Sequence, residues 1–128
     1  MRLLLDTHLL LWAAGDPRRL SRKARGLIAD EANALHFSAA SIWEVAIKSG
    51  LGRADFRADA GQLLQGLLAN GYEEVPVSGR HAMQVAHLPP LHGDPFDRLL
   101  VAQARAEGLT LLTADDQVAQ YRAPVQKV

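Results

Sequence analysis

The chain has 128 residues, 48% of them apolar, with 14 basic residues against 14 acidic ones. It has no cysteine, which excludes a disulfide framework, thiolate zinc sites, iron–sulfur clusters and a cysteine nucleophile together. Balanced charge neither favours nor disfavours a nucleic-acid partner, so only the local placement of charge carries information.

The length suits one domain over residues 1–128, able to bury about two-thirds of its unfolded surface without a metal or disulfide staple. At the N-terminus a lone arginine precedes a brief apolar run that Asp6 interrupts. No stretch reaches the ~20 apolar residues of a membrane span or the core of a signal peptide, so the expectation is a cytoplasmic protein with no membrane partner. Short apolar runs alternate with longer helical stretches, the pattern of an α/β domain with a mainly parallel sheet.

Leu3-Leu4-Leu5 reads as the first strand, followed by a short helix from Leu9 to Ala14 that breaks at Gly15-Asp16-Pro17. Ser21 caps a second helix carrying Ala24, Leu27, Ile28 and Ala32 at helical spacing. Leu35-His36-Phe37 is the second strand, and Ser38 caps a helix to Ser49 with Gly50 as its stop. Asp59 caps the next helix, whose apolar face is Leu63, Leu64, Leu67 and Leu68. Glu74-Val75-Pro76-Val77 is a third strand, placed at a sheet edge by its proline. Ser78 opens a helix ending at Leu88-Pro89-Pro90; Asp94 caps another with Pro95 at its first position and Gly108 at its close. Leu109 to Thr113 is a strand buried on both faces, and Pro124 to Val128 adds an edge strand.

In open parallel sheets, ligands bind beyond the carboxyl ends of the strands. Asp6 and Asp115 follow the first and fourth strands, Glu44 lies in the helix after the second, and Asp97 lies in the first turn of the helix before the fourth. Carboxylates so gathered repel or take up protons unless a cation joins them, and oxygen-only ligands favour magnesium or manganese. Each acid also has a plain use. Ser41 and Glu44 have capping-box spacing, Asp97 suits the helix dipole, and Asp115 and Asp116 suit helix caps. Asp6 is the hardest to assign a structural role.

At these residues the sequence resembles the PIN-domain family, and within it the VapC-type toxins of bacterial toxin–antitoxin pairs. The matching segments are Leu4-Leu5-Asp6-Thr7-His8, Ser41 to Lys48, His92 to Leu100 and Leu111 to Asp115, in the family's order. The resemblance implies a three-layer α/β/α fold and a magnesium- or manganese-dependent endoribonuclease. It implies that Asp6, Glu44, Asp97 and Asp115 surround the metal and carry catalysis, with Asp6 and Asp97 its central contacts. Thr113 and, less centrally, Thr7 and Asp116 would support them. It also implies an RNA substrate, a homodimer and an antitoxin partner that blocks the acidic pocket.

The remaining features have plain readings. His8, His36, His81, His87 and His92 show no paired ligand spacing and are expected to be hydrogen-bonded structural residues, with His8 and His92 near the acids in sequence. Arg18, Arg19, Arg22, Lys23 and Arg25 form a basic cluster suited to a phosphate backbone, an acidic partner or plain solvation. Arg98 is expected to pair with a carboxylate such as Asp94, and Trp12 and Trp43 to pack in the core. Two rivals stand beside the nuclease. An aspartate-based phosphoryl-transfer domain would want an acid where His8 stands, and a catalytically silent PIN-like binding module would keep the fold without the chemistry.

Overall fold

The computed structural model describes residues 1–128. Five strands form one sheet in the order β3-β2-β1-β4-β5, every neighbouring pair parallel. They are β1 (Arg2–Leu5), β2 (Ala34–Ser38), β3 (Glu73–Val75), β4 (Thr110–Thr113) and β5 (Val125–Lys127). The helices are α1 (Thr7–Gly15), α2 (Arg22–Ala29), α3 (Ala39–Gly50), α4 (Ala60–Ala69), α5 (Gly79–Gln84), α6 (Pro95–Glu107) and α7 (Asp116–Ala119).

The central strand β1 shows why the layers form. Leu3 and Leu5 enter one core with Leu9, Leu10, Phe37, Phe56, Leu63 and Leu67, which come largely from β2, α1 and α4. Leu4 enters the opposite core with Leu100, Val101, Ala104, Leu111 and Val118, from α6, β4 and α7. A strand whose side chains alternate between two buried faces needs apolar residues at every position, hence the unbroken leucine run. The α/β/α sandwich follows.

The capping residues act locally as their types dictate. Ser21, Ser38, Asp59, Ser78 and Asp94 each accept an amide hydrogen bond from the first turn of their helix, and Gly108 closes α6 at φ 66°.

Several sequence expectations give way. The first helix begins at Thr7 rather than Leu9, because Asp6 is itself the cap. Helix α3 includes Gly50, and the left-handed turn comes at Gly52. The third strand is shifted to Glu73–Val75, leaving Pro76 beyond its end. The helix after Ser78 stops at Gln84 and tightens into a 3-10 turn over Val85–His87. Leu68 is exposed, and so is Trp43 at 59%, its ring edge against Phe96; only Trp12 of the two tryptophans packs against a core. Arg98 does not pair with Asp94. Its guanidinium instead donates to the Val85, Pro89 and His92 carbonyls and to the Tyr121 hydroxyl, tying the loop before α6 to the segment after α7.

Candidate active site

The order of strands reverses direction across β1 and β4, the kind of point at which parallel sheets open a crevice. Asp6 leaves β1 there. Its amide still bonds the Leu112 carbonyl of β4 at 3.1 Å, so the ladder delivers its side chain beside Thr113. Oδ1 accepts the Leu9 amide at 3.0 Å as the cap of α1, a structural use that the leucines before it do not reveal. Oδ2 accepts the Thr113 hydroxyl at 2.5 Å, and Thr113 Oγ1 accepts the Asp115 amide at 3.0 Å. Burial pushes the Asp6 carboxyl above its usual range, against the hydrogen bonds from Thr113 and Leu9.

Glu44 is buried on α3. It makes no capping box with Ser41, because the cap of α3 is Ser38, three residues earlier. Glu44 Oε1 instead accepts the Thr7 hydroxyl at 2.6 Å, with Ser41 Oγ 2.9 Å from the same hydroxyl, and Oε2 accepts from Lys48 Nζ at 2.6 Å. Thr7 thus joins the start of α1 to α3.

Asp97 stands in the first turn of α6, where Asp94 caps its amide. Its carboxyl is raised to about 8, first by burial and then by the charges of Asp94, Asp6, Glu44 and Asp115. Those four acids come from separate stretches of the chain and act on one carboxyl, so they share one edge of the sheet. Asp115 caps α7 through the Gln117 amide and is exposed. Asp116 lies away from the group, paired on the surface with Lys127.

His92 lies near the acids, as its place in the sequence suggests, but its contact with Asp97 is not legible from spacing. Arg98 donates to the Tyr121 hydroxyl at 2.7 Å, so that hydroxyl is free to donate to His92 Nδ1 at 3.0 Å. In the tautomer that accepts this bond the His92 proton sits on Nε2, which is buried, has no hydrogen-bond partner and lies 3.6 Å from Asp97 Oδ2. Of the other histidines, His36 bonds the Leu3 carbonyl, His81 pairs with Glu107, and His8 reaches Asp55 at 3.4 Å. Lys48 is likewise unremarked in the sequence except for its i, i+4 spacing from Glu44, which is a legible signal for an ion pair.

A PIN-domain family model matches residues 3–124. The chain belongs to the PIN-domain family. Ribonuclease VapC22 of Mycobacterium tuberculosis is 33% identical to it over 122 residues, 94% of this chain and 92% of the relative. The PIN fold recurs in the VapBC2 complex of Rickettsia felis bound to a DNA fragment from its promoter. That likeness has a TM-score of 0.70 at 16% identity, covering 100% of this chain and 99% of the other. It recurs also in VapC20 of Mycobacterium tuberculosis, a toxin described as cleaving the sarcin–ricin loop. There the TM-score is 0.66 at 19% identity, over 94% of this chain and 95% of the other.

The donors of this PIN domain suit a hard divalent cation. They are all oxygens, each Asp6 oxygen keeps lone pairs beyond its one hydrogen bond, and Asp97 holds a proton only because burial and like charge make ionisation costly. A cation would ionise Asp97 and give the orphaned His92 N–H a charged acceptor. No three acid or histidine side chains stand close enough to hold an ion as they are, so an ion here would need the carboxylates to draw together.

Proposed function

We propose that this PIN domain is the ribonuclease toxin of a toxin–antitoxin pair, a magnesium- or manganese-dependent endoribonuclease. The observation that carries the reading is that acids from separate stretches of the chain, the buried Asp6 and Glu44 and the more open Asp94 and Asp115, all act on the half-buried Asp97 carboxyl at one sheet edge. The kinship with a ribonuclease and the VapBC complexes among its fold neighbours support the activity and a protein antitoxin. A homodimer acting on cytoplasmic RNA completes the reading; no helix is long and apolar enough to cross a membrane.

Asp6, Asp97 and Asp115 would hold the cation, with Glu44 beside them. When bound, the ion supplies positive charge for an anionic phosphodiester and acidity for a water. The chain's own residues do the rest. Thr113 and the Leu9 amide fix the two Asp6 oxygens, so this carboxylate cannot rotate away. Glu44, held by Thr7 and Lys48, offers its remaining lone pairs as a fixed acceptor that orients the attacking water and takes its proton. His92 Nε2–H steadies the ionised Asp97.

Attack by water rather than by a ribose 2′-hydroxyl leaves 5′-phosphate and 3′-hydroxyl ends. End-labelling of RNA cut by the chain freed of its antitoxin should show those ends, with cleavage abolished by EDTA. Cyclic phosphate ends formed in EDTA contradict the proposal. The phosphoryl-transfer alternative lacks the second acid it would want beside Asp6, since that place is His8, which contacts Asp55 and Phe56.

A further inference from the structure

The acids at the sheet edge are not equivalent. Asp6 and Asp97 have no ammonium or guanidinium against them, whereas both oxygens of Glu44 are already engaged, by the Thr7 hydroxyl and by Lys48 Nζ, each at 2.6 Å. An exposed i, i+4 pair is a weak and mobile contact. This pair is shielded from solvent, with side-chain exposures of 15% for Lys48 and 4% for Glu44. The ammonium sits 4.7 Å from the ring centre of Phe56 and 5.2 Å from that of Phe96, and Asp94 Oδ2 is 4.0 Å away. Phe56 belongs to the turn after α3 and Phe96 to the first turn of α6, so three separate segments enclose one charge. Aromatic walls favour a cation between them and leave the lysine stem little freedom.

We infer that Lys48 is a positioning residue that reserves Glu44 for the attacking water, keeping its carboxylate off the divalent cation and lowering the pocket's affinity for that cation. The inference rests on the reading of the pocket as a cation site and sharpens it. Asp6, Asp97 and Asp115 are the acids without an ammonium or guanidinium against them, and an ion bound among them would take Asp97 in its ionised form. Glu44 and Lys48 form a neutral pair beside them, in which the carboxylate keeps a fixed direction. Loss of the ammonium does two opposite things. It frees Glu44 to become a further ligand and removes one positive charge from the neighbourhood of a doubly charged ion, so the ion binds more tightly. It also takes Glu44 from the water, so turnover falls.

The test titrates the full-length chain, freed of any partner, with manganese alone by calorimetry, and follows RNA cleavage separately. Lys48→Met is expected to bind manganese about tenfold more tightly while kcat falls about tenfold or more, the two moving against each other. Lys48→Arg, which keeps the charge and the reach to Glu44, should restore both towards wild type. A lysine that merely props the fold would weaken both together; unchanged or weaker manganese binding by Lys48→Met therefore overturns the inference. If the methionine variant melts early, Lys48→Gln keeps a hydrogen-bond donor to Glu44 without the charge and should still bind manganese more tightly. Absence of manganese binding by the wild type at millimolar concentration removes the cation-site reading, and this inference with it.

Discussion

Asp6→Asn is expected to abolish metal-dependent RNA cleavage, by at least about 100-fold in kcat/KM, while leaving the metal-free protein as stable as wild type or slightly more so. The two halves of that expectation come from the two jobs of one side chain. As the cap of α1, Asp6 needs only an oxygen that accepts the Leu9 amide, and asparagine is as good a cap as aspartate. The Thr113 hydroxyl can turn to accept from the new amide. As an acid, Asp6 is buried with its carboxyl raised by desolvation, so its charge is a cost that asparagine removes. Asp6→Ala separates the jobs, since it also loses the cap and should cost about 1 kcal/mol more in unfolding free energy. Thermal melts in EDTA beside cleavage assays in magnesium distinguish the three proteins. Full activity in Asp6→Asn removes Asp6 from the site.

The second large effect belongs to Asp97 and is one of pH. In the unfolded chain its carboxyl loses its proton near 3.8, whereas in the fold it keeps it to about 8. Between those values the folded state binds the extra proton, so this group makes stability fall as pH rises through that window and level off above it. Asp97→Asn abolishes the dependence. In EDTA, the Tm of wild type should therefore drop by about 5 °C or more relative to Asp97→Asn between pH 5 and pH 8. Asp55 and Glu107, both lowered, act against it but are common to both proteins and cancel in the difference, whereas Asp6, also raised, acts in the same direction and is coupled to Asp97, so it belongs to the effect measured. Millimolar magnesium at pH 8 should restore the wild type and leave the variant unmoved, because only the ionised carboxylate binds the ion. Parallel pH profiles for the two proteins would deny Asp97 its crowded surroundings.

The sequence made the framework legible wherever one local cause decides the outcome. Leu3, Leu4 and Leu5 form a strand buried on both faces because no polar residue interrupts them, and Ser21, Ser38, Asp59 and Asp94 cap helices because their oxygens reach an amide two or three residues on. Asp6 and Asp115 are legible by their places after strands, and Glu44 and Asp97 by their places in the helices next to strands, which topology turns into a common edge. Where two local patterns compete, the sequence misleads. Ser41 and Glu44 have the spacing of a capping box, yet Ser38 already caps α3, so Glu44 is free to turn inward to Thr7 and Lys48. Residues whose partners lie far along the chain were illegible. Arg98 answers carbonyls and a tyrosine up to 23 residues away rather than the adjacent acid, and the proton position on His92 depends on that same tyrosine. Trp43 shows the remaining difficulty, since an aromatic among apolar helix residues reads as core until the neighbouring helix is in place.

Whether Asp6, Asp97 and Asp115 gather around one divalent cation is tested directly by a crystal of the chain soaked in manganese and measured for anomalous scattering. The expected result is a peak bounded by oxygens of those three residues, with Glu44 still on Lys48. A site occupied elsewhere on the surface, with Asp6 and Asp97 left untouched, would contradict it.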